Sequence, residues 1–462
     1  MKKQQNDEPI WMWVRRVLGT TCFAVGLWFF LIPGLTVCWY LLTDKGLHGN
    51  GVSTFALKRH QALSDDYAKY ARERIASGKA ETLHIDQIAE TEWPLFGSCF
   101  YLWTTEALQA AWEKDQSISK QAPKEYASEA IEAAKDLVLD YGHSKWVRDH
   151  WGDEYMKKEN VFYRMLVISA IVSHYNLTGN KEHFHLLRKQ CNSLINEIDS
   201  SIYGVLDDYP GQCYPADVAA AISAIKKADV LLGTDHAGMI RRSVRAFSGD
   251  SVGPYGLPAY AANSLSGMRH DDSRGCGNSY FTIFAPVTWP EDDPGWYDSY
   301  AEHYWKENWF AAGFREFPGD PGELYYNDVD AGPVILGWGM SATSFGVGAA
   351  RVNGRFDHAS TLSYQTIAAS WPLLNGTMLF PRIFSDADHA PYLGEIAVLF
   401  QLTREPAVPE GVSFHSGRIT GCVWLMLGIY TFLSWFSFWI GRRILRPKWK
   451  RSRKKRRAKA KA

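Results

Sequence analysis

A chain of 462 residues exceeds one average domain and falls short of three, which points to one large globular body with appendages. With 46% apolar and 22% charged residues it can build a substantial core, and global disorder is excluded. Lys+Arg 50 and Asp+Glu 50 cancel, but they are segregated: +14 beyond Glu410 and +2 over residues 1–16 leave about −16 on residues 44–410, an acidic body that argues against nucleic acid as the partner.

Residues 17–42 carry no charge and, at 1.5 Å rise per residue, exceed the roughly 30 Å hydrocarbon core, so a transmembrane helix is expected there. A cleaved signal peptide has a shorter apolar stretch and a small-residue cleavage site, whereas this run ends in Cys38-Trp39-Tyr40; the expectation is an uncleaved anchor. Pro33-Gly34 inside it predicts a kink, because proline removes a backbone donor. Residues 419–440 form a second uncharged run long enough to cross. Lys2, Lys3, Arg15 and Arg16 precede the first run, and Arg442, Arg443 and Arg446 open the basic stretch after the second. The positive-inside rule then puts both ends, residues 1–16 and 441–462, in the cytoplasm, and residues 44–417 outside. The expectation is a two-pass bacterial inner-membrane protein with a periplasmic main domain. Cys99, Cys191, Cys213 and Cys276 lie in that domain and Cys22, Cys38 and Cys422 in the spans; an oxidising compartment permits disulfides without saying which, and no CxxC points to a structural zinc site.

Between the spans the clearest periodicity is helical. Tyr126, Ala130, Ala134, Leu137, Val138 and Tyr141 share one face after Pro123, with Gly142 as the stop. Phe184, Leu187, Cys191, Leu194, Ile195 and Ile198 form a second stripe, and Val218, Ala221, Ile222, Ile225 and Leu232 a third, opened by Pro215 and closed by Gly233. The run from Val161 to Leu177 is apolar nearly all round, which suits a helix buried on both sides. Helix ends recur as Leu177-Thr178-Gly179, Leu231-Leu232-Gly233 and Val352-Asn353-Gly354, the second interval being about twice the first, a rhythm that fits repeated helical hairpins. Long loops rich in Gly, Pro, Asp and aromatics separate them at 204–215, 249–280 and 313–333; loops of that length in a compact domain are usually functional.

Trp151-Gly152-Asp153, Lys158-Glu159-Asn160-Val161-Phe162-Tyr163, Tyr175-x-Leu177-Thr178-Gly179, and Gly204-Val205-Leu206 leading to Gln212-Cys213 form an ordered series that resembles linalool dehydratase/isomerase. Asp328-Val329-Asp330-Ala331-Gly332-Pro333 resembles that family's late Asp-rich segment. The resemblance implies an all-α fold, an (α/α)6 barrel flanked here by the two transmembrane helices. It also implies cofactor-free acid/base chemistry on a small isoprenoid alcohol, with a site shared between neighbouring subunits of an oligomer. Of the family's two catalytic cysteines the second matches Cys213; the loop of the first is shortened and reads Asp207-Asp208, and the family histidine falls on Leu166. A gapless match through Cys99 places Glu90 at the family aspartate and Phe96 at its tyrosine.

Dehydrating an alcohol needs an acid for the departing oxygen and a base for a carbon-bound proton, both in a dry site that keeps the acid protonated near neutrality. Asp207, Asp208 and Cys213, within seven residues, supply both types; their plain structural roles are turn capping beside Pro210-Gly211 and burial as a small hydrophobe. Arg274, Cys276 and Asn278, on a glycine-permissive loop, suit pocket lining, whereas Arg269, His270, Asp271 and Asp272 read as a self-neutralising solvated loop. Asp330 precedes an expected helix carrying Gly337, Gly339, Gly346 and Gly348, and by capping preference alone is more often a helix cap than a catalyst. Asp386-x-Asp388-His389 reads as structural rather than as a metal site, and Trp289, Trp296, Tyr297, Tyr300, Tyr304, Trp305 and Trp309 as helix packing. The expected catalytic set is thus Cys213, Asp207 and Glu90, with Asp208, Tyr214, Arg274, Cys276, Asn278 and Asp330 binding substrate, in a pocket built from residues 204–214, 267–280 and 328–330. No metal or cofactor is expected. The leading function is a lyase or isomerase acting on an isoprenoid or other hydrophobic alcohol, membrane-dissolved because the domain is tethered at both ends. The rivals are a hydrolase, lyase or epimerase on envelope glycan, and a non-catalytic envelope protein that keeps the fold.

Overall fold

The computed structural model describes residues 10–49, 51–248, 252–319, 325–407 and 414–446. Residues 1–9 and 447–462, with most of the charge behind the topology expectation, lie outside them, as do 249–251 and 320–324 of two expected loops. The chain is mostly helical, with a few short strands. Its helices of nine or more residues are α1 (Ile10–Thr43), α2 (Thr54–Ala76), α3 (Trp93–Lys114), α4 (Ser128–Leu139), α5 (Val161–Thr178), α6 (Phe184–Ser200), α7 (Pro215–Leu232), α8 (Gly275–Thr288), α9 (Trp296–Tyr304), α10 (Met340–Val352), α11 (Phe356–Ser370), α12 (Leu379–Ala387), α13 (Leu393–Leu402) and α14 (Gly421–Leu445).

The third stripe forms α7 as read, with Val218, Ala221, Ile222 and Ile225 buried and Gly233 left-handed at φ +62°. Gly179 (φ +76°) and Gly354 (φ +70°) likewise follow α5 and α10, so the repeated helix-end motif marks alternate turns of one architecture. The first stripe is interrupted: a turn at Pro123–Tyr126 precedes α4, and Tyr141 falls beyond the helix end and is exposed. α5 packs on α3 and α7, α7 on α8, α8 on α10, α10 on α13, and α13 returns to α3, a closed cycle of six. Outside it, α2 and α4 cover α3 and α13, α6 covers α5 and α7, α9 lies on α8, and α11 and α12 lie on α10 and α13. α5, sandwiched between layers, is buried along nearly its whole length, as its all-round apolar sequence requires. The crowded aromatics are core: Trp289 and Trp296 are 1% exposed and donate to the carbonyls of Ile240 and Phe247, whereas Trp309 is open to solvent at the start of α14.

α1 and α14 are each long and apolar enough to cross a membrane. They run antiparallel, since Arg15 near the start of α1 donates to the carbonyls of Ile444 and Arg446 at the end of α14. Close contact is possible because Gly19, Gly26 and Gly34 face Leu445, Phe438 and Tyr430 at distances where a Cβ would collide. The disturbance expected at Pro33 takes the form of a π-helical stretch, Gly26–Leu31, one turn earlier. Proline offers no N–H back to Phe29, and the Phe29 carbonyl accepts instead from the indole of Trp371, 2.8 Å away. Trp371→Phe keeps the ring packing on Phe30 and Tyr430 but deletes that donor; we expect a loss of about 1–2 kcal/mol, read by thermal unfolding in micelles, and an unchanged melt would discount this bond as a joint between helix and body.

Candidate acid cluster at the helix N-termini

The six cyclically packed helices all start at one end of the ring, and the residues just ahead of their first turns form the candidate site. Asp207 and Asp208 are buried, and their backbone duties are explicit: Asp208 accepts from Phe162 N (2.8 Å) and Tyr214 N (2.7 Å), Asp207 from Gly211 N (2.7 Å) and Ser264 N (3.4 Å). One carboxylate thus joins the starts of α5 and α7 and the other closes the 207–211 turn. Cys213 is fully buried, pinned by a two-way backbone bridge to Ala262 (2.8 and 2.9 Å). Burial, with Asp208, Asp207 and Asp217 nearby, drives its thiol pKa well up, so it is a neutral thiol near neutrality. Burial likewise raises Asp208 well above the usual carboxylate range, with Asp217 adding to it.

Two acids outside the sequence-based set complete this group. Glu92, 6% exposed, accepts from the Tyr209 hydroxyl (2.6 Å); burial, with Asp330 behind it, pushes it up to about 7. Asp217, in the first turn of α7, is pushed up to about 8 by desolvation and by Asp330 and Glu92. A carboxylate in a helix's first turn is normally favoured by the macrodipole, so here burial beside like charges outweighs it. Asp330 is raised by burial too, and it accepts from the Tyr260 hydroxyl (2.5 Å). The Tyr280 hydroxyl is buried without a partner among the described residues, and the fields of Asp217, Cys99 and Asp208 all act on it. Tyr214 stands between the acids, edge-on to both Tyr209 and Tyr260.

Arg274 is the last residue of its loop, but Cys276 and Asn278 do not sit on it. α8 starts at Gly275, so Cys276 and Asn278 lie in its first turn, a correction to the 249–280 loop. The glycine there serves close backbone approach: a Cβ on Gly275 would come within 1.9 Å of the Arg315 carbonyl oxygen. Gly337 and Gly339 also precede α10 rather than riding on it; Tyr325–Asp328, Gly332–Ile335 and Trp338–Gly339 form a small antiparallel sheet over this end. Arg274 is committed to protein partners: Nε bonds Glu316 (2.8 Å), NH2 meets Asp328 (3.1 Å), and the guanidinium lies 4.3 Å over the Tyr260 ring. It therefore aligns Tyr260 and, through it, Asp330. Glu316, 0% exposed, also accepts from the Cys276 backbone N–H (3.1 Å) and thiol (3.0 Å). Asp328 accepts from the N–H groups of Asp330 and Ala331 and so shapes the turn that presents Asp330, which caps no helix.

Of the sequence-based residues, Asp207, Asp208, Cys213, Tyr214 and Asp330 are brought together, and Arg274, Cys276 and Asn278 adjoin them through Tyr260. Glu90 is placed elsewhere: it pairs with Lys79, bonds Gln87, and is held below the usual carboxylate range by that lysine. Glu92, two residues further on, is the acid that faces the site. Phe96 packs on Phe100, Phe162 and Tyr280, so it lines the same neighbourhood without a hydroxyl. Asp217 had a legible signal, four residues after Cys213, but a carboxylate after Pro215 reads as a helix start. All seven cysteines are free, and among the described residues no three His, Cys, Asp or Glu side chains converge as a metal site. An apolar groove of about 510 Å³ runs along α14 between Trp424 and Trp435, away from these acids. No protein-family model and no curated protein matches the chain.

Proposed function

We propose that the protein is a cofactor-independent lyase or isomerase, similar to linalool dehydratase/isomerase, that adds, removes or moves a hydroxyl on a hydrophobic alcohol by acid/base chemistry. The observation that carries this reading is the trio Glu92, Asp217 and Asp330 at the starting end of the helical ring: burial raises all three carboxyl groups, Asp330 adds to the rise of Glu92, and both add to that of Asp217. In this reading the six-helix cycle is the inner layer of an (α/α)6 barrel. The domain stands on the outer face of a bacterial inner membrane, with both chain ends in the cytoplasm. The shared direction of the chain ends, fixed by Arg15 on Ile444, supports that topology.

Asp217, protonated up to about pH 8, gives its proton to the substrate hydroxyl as the C–O bond breaks and water leaves. Glu92, ionised in part near neutrality, takes the proton from the neighbouring carbon as the double bond forms. Proton return from Glu92 to Asp217 resets the site, and the reverse order hydrates. The free Tyr280 hydroxyl donates to the substrate oxygen, and Cys213, a neutral thiol beside Asp217, relays the proton. Asp207 and Asp208 hold the loop that presents Cys213.

The test is incubation of the full-length protein in nanodiscs with geraniol, linalool and longer polyprenols, resolving products by mass. Dienes or allylic isomers are expected, and no conversion of any of these alcohols rejects the reading. Cys213→Ala should fold, since a small apolar group replaces a small buried one, and lose turnover; retained turnover removes Cys213 from the mechanism.

A further inference from the structure

The two ends of the helical ring differ in chemistry. Loops at the starts of the six helices expose large apolar side chains, Ile202 (86%), Leu265 (78%), Met268 (68%) and Leu336 (46%), beside charged ones such as Lys157, Lys158 and Arg269, and α12 adds Phe384 (62%). Loops after their ends expose Asp115, Glu182, Asp235, Glu291 and Asp292. Large exposed apolar side chains gathered at one end, with charged ones among them, suit contact with a bilayer surface.

Contacts along α11 give the direction. Arg418 N donates to Thr361 (3.1 Å), Thr420 to Gln365 (3.1 Å), and Tyr430 to the Ala368 carbonyl (3.0 Å), so α11 runs parallel to α14. α14 runs from the body toward the basic tail. α11, returning from the end of α10, therefore carries the chain back to the acid-bearing end of the ring on the side toward the membrane. Counted from Arg15 and Arg442, about 20 residues of helix cross roughly 30 Å of hydrocarbon and reach Leu35 and Cys422. Trp371 touches Phe29 and Tyr430, about 9–12 Å short of that boundary.

α12 follows at this level and is amphipathic the wrong way round for water. Its charged Arg382 turns inward to pair with Glu395 and stack on Tyr392, while Phe380, Ile383 and Phe384 point out. Asp386 and Asp388, exposed at its C-terminal end, set the limit of immersion.

We propose that the acid-bearing end of the ring faces the bilayer and that residues 371–384 are sunk in the hydrocarbon of the adjacent leaflet, so that the site is served by amphiphiles dissolved in that leaflet. This deepens the proposed function by naming the phase its substrate comes from, and it rests on the two membrane spans and on none of the chemistry. The test places the photo-crosslinker p-benzoylphenylalanine at Phe384, at Trp435 on α14, or at Val230 at the far end of the ring, in the full-length protein in phosphatidylethanolamine–phosphatidylglycerol nanodiscs. Lipid adducts, read by mass, are expected at 384 and 435 and not at 230. Adducts at 435 without any at 384 overturn the immersed segment and leave the spans standing; none at either overturns both. Adducts at 230 as readily as at 384 overturn the orientation. Absence of turnover on any alcohol changes none of these outcomes, so the two proposals fail separately.

Discussion

Replacing Asp217 by Asn should cut turnover by at least about 100-fold while making the protein more heat-stable at alkaline pH. Burial beside Glu92 and Asp330 raises this carboxyl from its ordinary value to about 8, so between about pH 4 and 8 the native state keeps a proton that the unfolded chain releases. The stability tied to that proton is whole below about pH 4 and lost as pH climbs to 8, where the native fold must hold a buried negative charge beside two others. Asparagine carries no charge at any pH, so the gap between variant and wild type should widen from pH 4 to 8. Glu92→Gln should show the same trend, levelling off near pH 7. In wild type, activity should rise as Glu92 ionises near 7 and fall as Asp217 ionises near 8, a narrow bell. Melting temperatures that move in parallel across this range, or an Asp217→Asn protein with full activity, would remove the acid trio from its assigned role.

Replacing Glu316 by Leu should destabilise the body by about 3–5 kcal/mol, the largest loss expected from any single carboxylate here. Glu316 is 0% exposed and holds the Arg274 guanidinium and both the N–H and thiol of Cys276. Its loss leaves a cation that is 6% exposed with only the half-exposed Asp328 and Asp271 to balance it, and an unpaired N–H at the start of α8. Arg274→Met added to Glu316→Leu removes the stranded charge and should recover most of the loss, since a buried pair replaced whole by apolar groups is close to neutral. Denaturant unfolding followed by tryptophan fluorescence gives both values. If the double variant is as unstable as the single, the cost lies in packing and not in the stranded charge.

How much was legible follows from what each signal depends on. The spans and α7 depend on local periodicity and end residues, Pro215 and Gly233 among them, and these are written in consecutive positions. The loop from Asp207 to Tyr214 was legible because it carries its own turn chemistry. The partners Glu92, Tyr260, Tyr280 and Glu316 were not, because each acquires its chemistry only when helices far apart in the chain begin at one end of the ring. Glu90 and Glu92 differ by two positions on a short helical turn, enough to point one at Lys79 and the other at Tyr209. Arg274 reads as pocket lining in isolation, and only the fold shows it paired with Glu316 and Asp328.

The mating of α13 with α3, and of α14 with α1, joins the last helices made to the first. Until the later helices are made, α1 is without its mate and the ring stands open with the starts of α3 and α10 unsealed. Both seams join segments far apart in the chain and so carry a large loop-closure entropy. Removing α13 and α14 therefore opens the ring as well as unpairing α1, and the half-built ring is the species with the most apolar surface to shield.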